Sequence, residues 1–259
     1  RNGHVGKHAP AEIYQALGEI LTGIDDEALE KEIWGLLRGN VPTEIEISVY
    51  VDLLGKMIDL ASPTASQHRK LIDLAKGLAQ ASEYAAQMGT AERGKLKVQI
   101  RTAIEGVIAA LNGIEGTGRE AHELRRAYLR ALESLAAIAR YSEGVDFGQA
   151  LETAHAARQI ASGDEPGAAE VRTTAMGAIG KLGRYEPDRV ASLLTAEINT
   201  AQSNNALLEV AADAVSAMNA VDGMGVTLDT LASRALAEAL AQAIGNISAG
   251  DREGEASEA

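Results

Sequence analysis

The sequence predicts an all-α fold built from stacked antiparallel helix pairs, and three observations support this prediction. Aromatic residues make up only 3% of the chain, while alanine, leucine, isoleucine and valine fill most apolar positions. Such a composition suits helices packed through small side chains better than sheets of β-branched and aromatic residues. Apolar residues also recur at three- and four-residue spacing, and capping or turn residues separate the segments. About eleven helices are expected.

The first two helices are expected to form a hairpin. Pro10 precedes one apolar stripe, and Asp25 and Asp26 precede another, which ends at Gly39. Proline and aspartate are typical of helix starts, and glycine is typical of helix ends. We expect both stripes to face the core: Ile13, Leu17, Ile20 and Leu21 in the first helix, and Leu29, Ile33, Leu36 and Leu37 in the second.

Helix-start signals recur through the central region. Pro63 and Thr90 are expected to begin two long helices, and the clearest apolar stripe of the chain spans residues 96–111. Pro166 and Pro187 are each expected to begin a later helix. Three residue pairs have the spacing of a capping box: Thr43 and Glu46, Thr117 and Glu120, and Asp146 and Gln149. Three long helices are predicted within residues 62–141. Their pattern is also compatible with a helical bundle that precedes or interrupts the stack of helix pairs.

Two segments in the last third of the chain have matching apolar patterns. Residues 171–182 align with residues 207–218 at an offset of 36 (207 minus 171), and a further amphipathic helix lies between them. The string at residues 171–183 resembles the first-helix pattern of HEAT-like repeats, and the resemblance covers residues 164–247. HEAT and armadillo periods are about 40–47 residues, so this period is short. The resemblance implies an α-solenoid whose concave face holds another macromolecule.

Composition also indicates the domain organisation and the compartment. Residues 1–247 are expected to form one helical-repeat domain, with a sub-boundary near 142–146 or at 163, and residues 248–259 are expected to be a flexible acidic tail. The chain has no cysteine, which fits a reducing compartment, and we expect a cytoplasmic protein. It has no run of eighteen apolar residues, so no membrane insertion is expected. A chain that begins at Arg1 suggests a processed form or a fragment.

Charge is distributed unevenly along the chain, whose net charge is −13. Residues 64–141 carry 12 basic and 8 acidic residues, a net +4, between flanking segments of −6 and −11. Eight of these cations form the candidate binding site, a positive strip that would face an acidic partner or a phosphate backbone: Arg69, Lys70, Arg93, Lys97, Arg101, Arg119, Arg126 and Arg130. The alternative is that they lie on solvated helix faces, partly neutralised by glutamates at helical spacing.

No constellation of residues indicates catalysis. The five histidines are dispersed along the chain, and none belongs to a His-Glu-x-x-His zinc motif. The glycine-rich residues 113–118 follow no predicted strand and precede no Gly-Lys-Ser/Thr, so they do not form a phosphate-binding loop. We therefore predict no catalytic residues, no metal site and no cofactor.

The predicted function is that of a non-catalytic scaffold or adaptor which binds a protein or peptide partner. The alternative is a nucleic-acid- or phosphate-binding protein that uses the basic central helices at residues 69–130. Trp34 and Phe147 are the only residues of their types, so an aromatic platform for stacking bases is not expected.

Overall fold

The computed structural model describes residues 11–24, 26–39, 43–58, 65–82, 90–141, 144–161, 165–201, 212, 234–242 and 244–245. Within these ranges all regular secondary structure is helical, which confirms the all-α prediction. Nine α-helices are defined there: α1 (Ala11–Gly23), α2 (Glu27–Gly39), α3 (Thr43–Ile58), α4 (Ala65–Ser82), α5 (Thr90–Asn112), α6 (Arg119–Ile138), α7 (Phe147–Ile160), α8 (Ala168–Leu182) and α9 (Pro187–Thr200). A 3-10 turn, Ala139–Tyr141, extends α6, and residues 234–242 are also helical.

Several helices begin where the sequence predicts. Backbone N–H groups in the first turn of α2 donate to Asp26 Oδ1 at 2.9 and 3.2 Å. The N–H of Gln149 donates to Asp146 Oδ1 at 2.8 Å, so Asp146 caps α7. Pro187 is the first residue of α9. These helix starts follow from local hydrogen bonding and backbone geometry, which the sequence encodes directly.

Two predicted helix starts are wrong. Gly118, in an extended conformation, precedes α6 without a side-chain cap, and Thr117 Oγ1 instead donates to Glu165 Oε1 at 3.3 Å. Pro166 lies in a turn, and α8 begins after Gly167, whose φ of +87° interrupts the helical conformation. Helix α3 begins at Thr43, the first residue of the remaining predicted capping pair, but the side chains of Thr43 and Glu46 are not among those that the structure describes. The Pro63 helix start, the second copy of the repeat except residue 212, and the acidic tail lie outside the described residues.

The helices contact one another in two rows. In one row α1 contacts α3, α3 contacts α5 and α5 contacts α7; in the other, α4 contacts α6 and α6 contacts α8. Contacts between consecutive helices, α3 with α4, α5 with α6 and α7 with α8, join the two rows. A continuous cluster of buried apolar side chains runs through them, and the stripe of α5 contributes fully buried Ile100, Ile104 and Val107. The long helices α4 and α5 therefore lie in different rows.

The predicted stripes of α1 and α2 are only partly in the core. Leu21, Ile33 and Leu37 are buried, as expected. Other members of the stripes keep large exposed fractions: Ile13 48%, Ile20 51%, Leu29 42% and Leu36 41%. The principal contacts of α1 are with α2 and α3, and those of α2 are with α1. Because α1 lies at the end of its row and α2 contacts mainly α1, neighbours among the described helices cover only one side of each.

Close packing of α1 on α3 depends on Gly18. A Cβ atom there would lie 2.6 Å from Cδ1 of buried Leu53. We expect Gly18→Ala to lower the free energy of unfolding by about 1 kcal/mol, because overpacking costs about 1–3 kcal/mol and the gain in helix propensity returns about 1 kcal/mol. In the control, Gly35→Ala, the new Cβ would meet no atom within 4 Å, so a small gain in stability is expected. Urea unfolding measures both, and equal shifts would contradict the close approach.

None of the described helices is long and apolar enough to cross a membrane.

Candidate binding groove

A groove of 510 Å³ lies between α4, α6 and α8. Its lining residues project from the facing sides of the three helices at spacings of three and four residues, which place side chains on one side of a helix. They are Ile72 and Lys76 of α4, Arg126 and Arg130 of α6, and Ala169, Glu170, Thr173 and Thr174 of α8. The groove thus combines cations, hydroxyl groups and a small apolar surface.

The three cations of the groove differ in how far they are already neutralised. Arg130 Nη1 donates to Glu133 Oε2 at 2.7 Å, and Lys76 Nζ lies 3.5 Å from Asp73 Oδ1. Arg126 forms no ion pair with any residue that the structure describes. Its guanidinium is therefore the group in the groove best able to bind an incoming anion.

Threonine hydroxyls form part of the α8 side of the groove. Thr173 Oγ1 donates to the carbonyl of Ala169 at 3.0 Å, and Thr174 Oγ1 donates to the carbonyl of Glu170 at 2.7 Å. These bonds use the hydroxyl hydrogens and fix the side chains, so each oxygen can still accept a hydrogen bond. The α8 side therefore complements the cationic α4 and α6 sides with hydrogen-bond acceptors.

Of the eight predicted site cations, the structure brings only Arg126 and Arg130 to this groove. Lys70 is 1% exposed, and its Nζ donates to the carbonyl of Ile24, which follows α1. Lys70 therefore donates a hydrogen bond to a backbone carbonyl at the C-terminal end of α1, and it cannot belong to an exposed strip of cations. Arg69 Nη2 lies 3.2 Å from the carboxylate of Glu30, a buried residue of α2. Both cations thus tie α4 to the first two helices.

The remaining cations lie elsewhere. Arg101 Nε lies 3.7 Å from Glu105 Oε1, and Arg119 Nε lies 2.9 Å from Glu123 Oε1. Lys97 and Arg101 belong to α5, which lies in the other row of helices, and the side chain of Arg93 lies outside the described residues. Glutamates at helical spacing thus neutralise several cations, as the alternative interpretation expects.

Sequence reasoning missed Lys76, Glu170 and the two threonines. Lys76 lies one helical turn after Ile72 on α4. That spacing predicts one shared helix face, but it does not indicate that this face meets Arg126 on α6. Only the contact between α4 and α6 brings the cations of two helices together.

Two buried polar residues of α6 hold the turns beside it. The side chain of His122 is fully buried, with Nε2 3.2 Å from Glu165 Oε2, and its Nδ1 has no hydrogen-bond partner among the residues that the structure describes. Arg125 is also buried and donates from Nη2 to the carbonyl of Ile114 at 2.9 Å, and burial lowers its pKa. These contacts connect α6 to the turns before α6 and before α8.

A second polar cluster anchors α9 on α7. Glu197 of α9 accepts from His155 Nε2 at 2.7 Å and from Arg158 Nη1 at 2.6 and 2.7 Å. Burial alone would raise the pKa of Glu197, but the hydrogen bond from His155 and the charge of Arg158 together hold its pKa below the usual range. The carboxylate is engaged by residues of one neighbouring helix, an arrangement that suits anchoring.

The groove can bind a ligand through salt bridges, hydrogen bonds and a short apolar contact. Its described lining has neither a histidine nor a paired nucleophile and base. No group of three potential metal ligands occurs within the described part of the chain.

Comparisons with protein-family models, with curated proteins and with solved structures found no match to this chain. The geometry of the groove is therefore the basis for a functional proposal.

Proposed function

We propose that this chain is a non-catalytic helical-repeat scaffold that binds an acidic segment of a protein partner in the groove between α4, α6 and α8. The observation that supports it most is the convergence of Lys76, Arg126 and Arg130 from two helices on one groove. Solvent-exposed cations far apart on a surface attract anions weakly, whereas cations that share a groove act on the same ligand.

The proposal includes an α-solenoid arrangement of the helices. In a solenoid each repeat contacts its neighbours, so helices of one row follow one another at every second position. The succession of α1, α3, α5 and α7, and that of α4, α6 and α8, agree with this pattern. The row of α4, α6 and α8 would then line the concave face, which is the surface that such proteins use for macromolecular partners.

Carboxylates fit the chemistry of the groove. The planar guanidinium of Arg126 can donate two parallel hydrogen bonds to one carboxylate, and the ammonium of Lys76 adds a point charge nearby. Ile72 and Ala169 offer apolar contact to the stem of an aspartate or glutamate side chain or to an adjacent apolar residue. The carboxylate of Glu170, which also lines the groove, would repel a ligand that is densely and uniformly negative.

The alternative, nucleic-acid or phosphate binding, has weaker support. Affinity for a phosphate backbone comes from several cations that release counterions together. Four of the predicted cations are instead within ion-pair distance of glutamates: Arg69, Arg101, Arg119 and Arg130. The net charge of −13 further opposes association with a polyanion.

Substituting Arg126 tests the proposal. Fluorescence polarisation would compare a labelled glutamate-rich peptide containing leucine with a labelled oligo-dT, each at about 50 and 200 mM salt. We expect the peptide to bind, and Arg126→Glu to weaken binding at least about tenfold, because it puts a like charge against the ligand carboxylate.

Arg119→Glu is the matched control for this experiment. Arg119 lies on the same helix, its side chain is 78% exposed, and it does not line the groove. Its substitution changes the net charge equally and should alter peptide affinity less than about twofold, since rim charges contribute little to affinity. Equal losses in the two variants would contradict the groove as the binding site, and binding of oligo-dT alone would favour the alternative.

A further inference from the structure

Helices α1 and α2 present an apolar surface that the proposed groove does not use. Ile13 and Ile20 of α1 are exposed, and so are Leu29 and Leu36 of α2. Each pair is seven residues apart, or about two helical turns, so its members lie on the same side of their helix. We refer to these four side chains as the α1–α2 apolar surface.

The surroundings of the α1–α2 apolar surface allow close approach of another helix. Ala16 of α1, and Ala28 and Gly35 of α2, are small and exposed. A Cβ at Gly35 would meet no atom within 4 Å, so the space beside it is open. Leu17, partly buried against the core, continues the apolar surface inward. Large residues separated by small ones form the ridges and grooves into which a helix packs.

Four large apolar side chains at heptad spacing differ from the scattered apolar residues of an ordinary surface. Single exposed leucines and isoleucines are common and require no explanation. Here two i, i+7 pairs lie on two contacting helices, and the members of each pair are two helical turns apart. An amphipathic helix that binds in an apolar groove has its anchor residues one and two turns apart, so its anchors can contact both pairs.

Charge identifies the kind of helix that fits. Within residues 11–39 there are seven acidic and two basic residues, a net charge of −5. Lys56 and Arg69 of the neighbouring helices pair with Glu19 and Glu30, which leaves a net charge of −3 (−5 plus 2) on the two helices. Exposed carboxylates beside the apolar side chains are Glu12 of α1 and Glu32 of α2. A second copy of the chain would place this acidic surface against itself, and the like charges would oppose association. A helix with lysine and arginine beside its apolar stripe would instead complement the surface.

We infer that the α1–α2 apolar surface docks a basic amphipathic helix of a protein partner. Apolar residues of that helix, at positions i, i+4 and i+7, contact the four exposed side chains, and its lysines and arginines face Glu12 and Glu32. This inference is independent of the proposed groove, because the two surfaces share no residue.

The test uses two synthetic 18-residue peptides with leucine at the same heptad positions, one with lysine and the other with glutamate at the flanking positions. We expect the full chain to bind the lysine peptide saturably at physiological salt and to bind the glutamate peptide at least about tenfold more weakly. The double variant Ile20→Glu with Leu36→Glu should bind the lysine peptide at least about tenfold more weakly, because charged groups replace two apolar anchors.

That double variant separates apolar docking from general attraction between opposite charges. It makes the protein more acidic, so general attraction alone would keep or raise affinity for the lysine peptide. Ile160→Glu, at a residue of α7 that is 44% exposed, is the control and should leave affinity unchanged. A second double variant, Ile13→Gln with Leu29→Gln, adds no charge and should also weaken binding. Thermal melts followed by circular dichroism confirm that each variant is folded.

Three results would overturn the inference. The first is unchanged affinity in both double variants, and the second is equal binding of the lysine and glutamate peptides. The third is a dimer, detected by analytical ultracentrifugation, that both double variants dissociate, because a second copy would then cover the surface.

Discussion

Ile104→Asp is expected to remove most of the stability of the fold. Ile104 is fully buried in α5, which contacts α3, α6 and α7 and so joins both rows of helices. The aspartate would leave a cavity and place a carboxylate without a partner in an apolar environment, at a combined cost of at least about 4 kcal/mol. Domains are stable by only about 5–15 kcal/mol. Urea unfolding followed by circular dichroism measures the loss.

Val98→Asp on the same helix is the matched control. Val98 is 58% exposed, so its carboxylate would stay hydrated, and we expect a change within about 0.5 kcal/mol. If Ile104→Asp kept the unfolding midpoint of the unsubstituted chain, the stripe of α5 that contains Ile104 would be a surface rather than part of the core.

Glu197→Gln is expected to have the next largest effect. The substitution removes the negative charge that pairs with the largely buried guanidinium of Arg158, and removal of one charge from such a pair costs about 3 kcal/mol. The loss should be concentrated in α9, because the cluster of Glu197 with His155 and Arg158 ties this helix to α7. Hydrogen exchange of α9 amides should therefore accelerate more than exchange in α6.

The same cluster should contribute a pH dependence to stability. The pKa of Glu197 is lower in the folded chain than its usual value, so its contribution is fully present above the unfolded pKa of about 4.3 and is lost as pH falls through the lower folded pKa. Glu197→Gln should remove this part of the acid destabilisation. The measurement is urea unfolding between about pH 7 and pH 3, in the unsubstituted chain and in the variant.

Glu152→Gln provides the control for the Glu197 experiments. Glu152 also pairs across α7 and α9, with Arg189, but both side chains are substantially exposed. Exposed ion pairs contribute about 0–1 kcal/mol, so the loss should be much smaller than for Glu197→Gln. Equal losses would show that burial does not strengthen the Glu197 cluster.

The groove and the α1–α2 apolar surface differ in charge and in chemistry. Lys76, Arg126 and Arg130 make the groove cationic, whereas Glu12 and Glu32 flank the apolar surface. The proposed acidic and basic partner segments would therefore not compete for the same site. A scaffold with both surfaces could hold two different partners at once, which can be tested by adding the glutamate-rich peptide to a complex with the lysine peptide.

Local features of the fold could be predicted because their causes lie within a few residues. Asp146 caps α7 through a backbone N–H three residues away. Pro187 begins α9 because its φ angle suits the first helical turn. The buried stripe of α5 follows from a helical period that the sequence displays directly. The all-α fold is the sum of many such local preferences.

The tertiary structure decided which faces are covered and which charges meet. Lys70 has the chemistry of a surface residue, but the end of α1 lies beside it and accepts its hydrogen bond. Ile20 has the chemistry of a core residue, but the described helices leave its side of α1 uncovered. Arg126 and Lys76 share a groove only because α6 packs on α4. Burial and convergence depend on neighbours distant in the chain, and periodicity within one helix carries no information about them.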